Sequence, residues 1–175
     1  MIPFSRDGDL VTARLTDAET TVLAALAGQL VDLLEQRAAE SPVDVLLAQL
    51  GIGGASAPPL DPALARLLPD AYRGDAEAAS EHRQLTELGL VDRKVGNARA
   101  VIASLELADR DRPGLVTLDP AGVQSWLRHL TDLRLVIAAR LEIQEDGDEG
   151  TGDERMLDLY DWLGYLQGTL VECLE

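Results

Sequence analysis

The chain has 175 residues, with 31 Asp and Glu against 15 Lys and Arg, a formal net charge of −16. That length buries a sizeable core without metal or disulfide staples. The acidity weighs against direct binding of nucleic acid or acidic lipid, both of which need a basic face. The 32 Leu and 23 Ala beside six aromatics make a helix-former's composition, and the single cysteine, Cys173, rules out an intramolecular disulfide.

Met1 to Asp9 is interrupted by charges and has no apolar core of export-signal length. No run of about 18 apolar residues follows, so no spanning helix is expected and the cytoplasm is the expected compartment. Leu10 to Leu15 reads as a short strand, and Thr16-Asp17-Ala18-Glu19 as a capping box that opens a helix to about Glu40. Ser41-Pro42 signals a second, short helix closed by Gly51, and a Gly/Ala/Pro loop follows over 51–60. Asp61-Pro62 repeats the signal before one apolar turn, Leu64, Leu67 and Leu68, which Pro69 ends.

From Ala76 to Leu107 apolar residues recur every three or four positions, which predicts one helix about 45 Å long. Gly114 to Leu118 is a second strand, suited to pair with residues 10–15. Asp119-Pro120 caps a helix striped by Trp126, Leu130, Leu133, Ile137 and Leu141. An acidic, low-complexity stretch over 145–154 precedes a last helix, capped by Asp153 and striped by Met156, Leu159, Leu163, Leu166, Leu170 and Cys173. The expected architecture is a mainly α single domain, a bundle of five or six helices with at most one short two-stranded β element.

Chemical motifs are few. With Asp146 as position 1 of a calcium loop, Thr151 falls where the turn Gly belongs and Leu157 where the bidentate Glu belongs, so an EF-hand is rejected. His82 and His129 have no second ligand three or four residues away and read as helix-surface residues, so no metal is expected. No Gly-rich phosphate cradle follows a strand and no Ser sits in a nucleophile elbow, so neither an enzyme nor a cofactor is expected. Leu85 to Arg93 with the later strand at 114–118 is similar to the recognition helix and wing of winged-helix repressors, but the helical spacing continues unbroken to Leu105. A direct DNA-binding regulator and a bundle holding a small apolar ligand stand as alternative readings.

At 100° per residue Arg140 falls inside the apolar stripe of its helix. A buried guanidinium needs a carboxylate, for which Glu87 is the candidate; the alternative is that Arg140 snorkels to water. Arg66 and Arg73 flank Asp70, whose carboxylate can accept from either. Arg66, Asp70, Arg73, Glu87 and Arg140 are therefore a candidate structural polar cluster. On the last helix Tyr160 and Trp162 flank the core stripe and Tyr165 lies opposite, a candidate surface for a partner or a homodimer. Cys173 is either a small buried hydrophobe or, if the helix end frays, a redox thiol able to form an intermolecular disulfide. Residues 142–161 hold nine acids and one base, an acidic approach suited to a basic protein partner.

Several blocks now stand together: Asp61-Pro62; Arg66 to Arg73; Leu85-Thr86-Glu87 with Lys94; Trp126 with Asp132-Leu133-Arg134-Leu135; and Tyr160-Asp161-Trp162-Leu163 with Gln167 and Leu170. In this order they resemble the actinobacterial domain-of-unknown-function family twenty-seventeen, commonly encoded beside the ClpS protease adaptor, over nearly the whole chain. The resemblance implies no enzymatic activity. It implies a regulatory role in the oxidative-stress response through contacts with transcription machinery. A redox switch by intramolecular disulfide would need two cysteines where this chain has one. The expectation is a non-enzymatic regulatory or adaptor protein acting by protein–protein contact.

Overall fold

The computed structural model describes residues 1–40, 45–50, 52–72, 74–145, 148 and 150–174. In chain order the elements are β1 (Ile2–Asp7), β2 (Leu10–Arg14), α1 (Asp17–Ala39), α2 (Val45–Gln49), α3 (Pro62–Leu67), α4 (Ala76–Asp111), β3 (Leu115–Leu118), α5 (Pro120–Arg140) and α6 (Glu154–Glu172). Helices begin where capping chemistry places them. At α1 the Thr16 hydroxyl accepts from the Glu19 amide while Glu19 Oε2 accepts from the Thr16 amide at 2.7 Å, closing the expected capping box. Asp61, Asp75, Asp119 and Asp153 each accept from an amide in the first turn of the helix that follows. The expected start at Ser41-Pro42 and stop at Gly51 lie outside the described residues. Between Leu85 and Leu105 the chain is continuous helix, so no wing interrupts it.

The sheet corrects the expected two-stranded element, because it has three antiparallel strands in the order β1-β2-β3. The anticipated pairing of β2 with β3 is present, running from Val11 opposite Leu118 to Arg14 opposite Leu115. β1 is the added strand. It turns back through Gly8, at φ +64, so that Asp7 faces Leu10, and it carries Pro3 on the sheet edge, where the missing amide removes no ladder bond. At the other edge Gly114, at φ +72, lets β3 start against Leu15, whose amide donates to Gly114 O at 2.8 Å. A Cβ on Gly114 would stand 2.0 Å from Leu15 O, so only glycine fits.

α5 is the hub of the packing, touching α1, α3, α4, α6 and both β2 and β3. Its stripe of Trp126, Leu130, Leu133, Ile137 and Leu141 is wholly buried. Each buried leucine contributes about 2 kcal/mol through the apolar surface it removes from water. Phe4 of β1 meets the edge of Trp126 with ring centroids 5.3 Å apart, which joins sheet to bundle. The indole N–H donates to Ser104 Oγ on α4 at 3.0 Å, so its one polar atom is satisfied. α6 closes the other side of α5, and also packs on β1. No helix among the described residues is long and apolar enough to cross a membrane.

Candidate functional site

α5 presents Arg134 toward α6, into a groove of about 310 Å³ between α3, α5, α6 and the segment after α5. The guanidinium donates from Nη1 to Gln167 Oε1 at 2.9 Å and from Nη2 to Tyr160 Oη at 3.2 Å. Its Cζ lies 4.8 Å from the centre of the Tyr160 ring, a cation–π contact. Gln167 in turn donates to Thr131 Oγ1 at 2.7 Å. Arg134 Nε is buried and has no partner among the described residues. Across the groove Arg66 of α3 donates to the carbonyl of Ile143. Leu135, Ala138 and Ile143 supply apolar wall, and Gln144 and Glu145 the rim. Arg66, Arg134, Tyr160 and Gln167 come from three separate blocks of the family resemblance, and the fold brings them to one place.

A second groove, about 430 Å³, adjoins the first through Thr131 and is lined by Leu90, Arg93, Lys94, Asn97, Arg128 and Asp132. Here Lys94 Nζ meets Asp132 Oδ1 at 2.5 Å. Burial raises the Asp132 pKa above the ordinary carboxylate value and the Lys94 ammonium opposes that shift.

The expected polar cluster does not form as one unit. Arg140 does not pair with Glu87. It sits in the last turn of α5 facing the start of α3, 45% exposed, and binds both carboxylate oxygens of Asp61 at 2.9 and 2.7 Å. That guanidinium holds the Asp61 carboxyl below its usual pKa. The spacing puts Arg140 inside the apolar stripe, whereas in the structure it stands exposed at the end of α5, in line with the alternative that it reaches water, and meets Asp61 at the α3 cap. Asp70 accepts from Arg83 rather than from Arg66, and Arg73 lies outside the described residues.

Glu87, 4% exposed, is held instead by Arg37 of α1, from Nε at 3.0 Å and Nη2 at 3.3 Å. Arg37 and Arg83 also donate to the carbonyls of Ala57 and Ser56. These charges thus clamp the 52–57 loop onto α4. The loop lies so close that a Cβ on Gly54 would be 2.2 Å from Arg83 O, and Gly53 O accepts from the Leu88 amide of α4 at 2.8 Å.

The three aromatics of α6 do not share one surface. Tyr160 and Trp162 are half-buried against the core, and Tyr165 stands out, 52% exposed. Gly164 receives the guanidinium of Arg134 from α5. Cys173 is buried; its thiol donates to Thr169 O at 3.2 Å, and burial followed by the Glu172 charge raises its pKa. His129 departs from the surface reading: it is fully buried on α5, both ring nitrogens lack a partner among the described residues, and desolvation lowers its pKa to about 4. The signal in the sequence was weak, since at 100° per residue His129 stands about 60° from Trp126, roughly 20° farther from the stripe than Arg140. Among the described residues no group of three or more His, Cys, Asp or Glu could hold a metal ion.

Comparison with known proteins gives these features a family. The chain is 34% identical over 182 residues to "Oxidative stress regulator AosR" of Mycobacterium tuberculosis (strain ATCC 25618 / H37Rv) and to the same-named protein of Mycobacterium bovis, covering 95% of this chain and 83% of each relative. It is also 34% identical to "Putative oxidative stress regulator AosR" of Mycobacterium leprae over 174 residues, 89% of this chain and 78% of the relative. No solved structure matches it. The family model described as "Domain of unknown function (DUF2017)" matches residues 1–174, and the chain belongs to that family.

Proposed function

We propose that this chain is a cytoplasmic regulator of the response to oxidative stress, working by contact with a partner protein of the transcription machinery and without catalysis of its own. The observation that carries this reading is the 34% identity, over 95% of the chain, to proteins named as oxidative stress regulators. Cys173 supports a division of labour in which the oxidant is sensed elsewhere. A thiolate is the form that reacts with oxidant. In Cys173 burial favours the neutral thiol, which is also bound to a helix carbonyl. The test is transcript profiling after a peroxide pulse in the host organism. Deleting the gene blunts the induced response and complementation restores it; a deletion strain that responds as wild type refutes the reading. Complementation with Cys173→Ser restores the response equally, and failure to do so moves the sensor into this chain.

A further inference from the structure

Arg134 has five N–H donors and two of them are used among the described residues, both on neutral oxygens of Gln167 and Tyr160. Neutral acceptors satisfy hydrogen bonds but leave the charge uncompensated. No carboxylate among the described residues lies within ion-pair distance of it, and Nε is buried without a partner. Arg66 likewise spends its hydrogen bond on a carbonyl. Arg93 and Arg128, exposed beside the second groove, form no ion pair among the described residues either.

Among the described residues the two grooves together carry five bases, Arg66, Arg93, Lys94, Arg128 and Arg134, against two acids. One of those acids, Asp132, is already met by Lys94, and the other, Glu145, is at the exposed rim. A continuous basic track on a chain of charge −16 is a local reversal of the whole molecule's field.

We propose that this track along α5 docks an acidic, aliphatic segment of a partner protein, its carboxylates on Arg134 and Arg128 and its aliphatic side chains on Leu90, Leu135 and Ile143. The proposal deepens the regulatory reading and rests on it. Charge complementarity selects the acids, and the apolar wall selects against a bare polyanion. The surrounding acidity repels a nucleic-acid backbone with its many phosphates far more than a segment with a few carboxylates. The partner chemistry is thus opposite to the basic partner suggested by the acidic run before α6.

The test uses the full chain and a labelled synthetic peptide of Glu and Leu, followed by fluorescence anisotropy. The Glu/Leu peptide binds and weakens with added salt, a peptide with Gln in place of Glu binds about tenfold or more weakly, and a short DNA duplex does not compete. Arg134→Gln and the surface change Arg128→Glu each weaken the peptide about tenfold or more, and unchanged thermal melting of Arg128→Glu shows the fold intact. Equal binding of the Gln peptide, no binding of the Glu peptide, tighter binding of the duplex, or indifference to Arg128→Glu overturns the track. In the host, an Arg128→Glu strain that keeps the oxidant response lost on deletion overturns the track alone. A deletion strain with a normal response overturns the regulatory reading itself.

Discussion

Replacing His129 by Leu should remove a pH dependence that the wild type carries in its core. The imidazole is fully buried, its two nitrogens have no partner among the described residues, and desolvation lowers its pKa from 6.5 to about 4. The unfolded chain therefore binds a proton from pH 6.5 downward that the folded chain refuses until about pH 4. The titration of His129 thus costs nothing above pH 6.5 and removes stability progressively as pH falls toward 4. At about 1.36 kcal/mol per pKa unit the whole loss is about 3 kcal/mol, of which about 2 kcal/mol has gone by pH 5. The measurement is urea unfolding at about pH 7.5 and pH 5 for both proteins.

Wild type loses about 2 kcal/mol more than His129→Leu over that interval, and the variant is about 1 kcal/mol more stable at pH 7.5, because an unpaired polar group has left the core. Asp132, one turn along α5, has a raised pKa and acts in the opposite direction, gaining stability as pH falls. It is present in both proteins and cancels in the difference. If His129→Leu is less stable at pH 7.5 and keeps the wild-type slope, the ring is hydrogen-bonded in solution and the reasoning fails.

Arg37→Met should cost about 3 kcal/mol in chemical unfolding, because it leaves the carboxyl of Glu87, 4% exposed, without its pairing cation. Arg37→Met with Glu87→Leu should be less destabilised than that single variant. Gly96→Ala should stabilise by about 1 kcal/mol, since its Cβ meets nothing within 4 Å and α4 gains a better helix former. Gly114→Ala, whose Cβ would meet Leu15 O at 2.0 Å, should be strongly destabilising, and thermal melts rank the two. Arg140→Ala should cost no more than about 1 kcal/mol and less in high salt, because its pair with Asp61 is largely exposed. Asp61 has a lowered pKa, so that contribution is present above its ordinary value of 3.8 and is lost as pH falls through the lowered one.

The helices were legible because capping and periodicity are local. Asp61-Pro62, Asp119-Pro120 and Asp153 each open a helix where the sequence puts them. β1 was missed although Asp7-Gly8 is a hairpin signal. Its flanks alternate poorly, and only Phe4 of the strand is buried, beneath Trp126 from a distant helix. The polar partners were not legible. Glu87 has Arg37 as a partner 50 residues away and Arg140 has Asp61 79 residues away, and periodicity fixes the face a side chain leaves from but not what packs opposite. Arg134 shows the same limit from the other side. The sequence block containing it marked the family, while its place in a groove with Arg66 depends on how α3, α5 and α6 meet.

The bond from the Leu88 amide to Gly53 O makes one proton of α4 a reporter on a distant segment of chain. An interior helical amide is ordinarily shielded by the carbonyl four residues earlier in the same helix. The Leu88 proton depends on a loop that Arg37, Arg83 and Ser80 hold in place. Its exchange with deuterium therefore requires the lifting of that loop as well as any opening of α4. Comparing Leu88 with Val95, two turns along the same helix, separates release of the clamp from melting of the bundle in a single experiment.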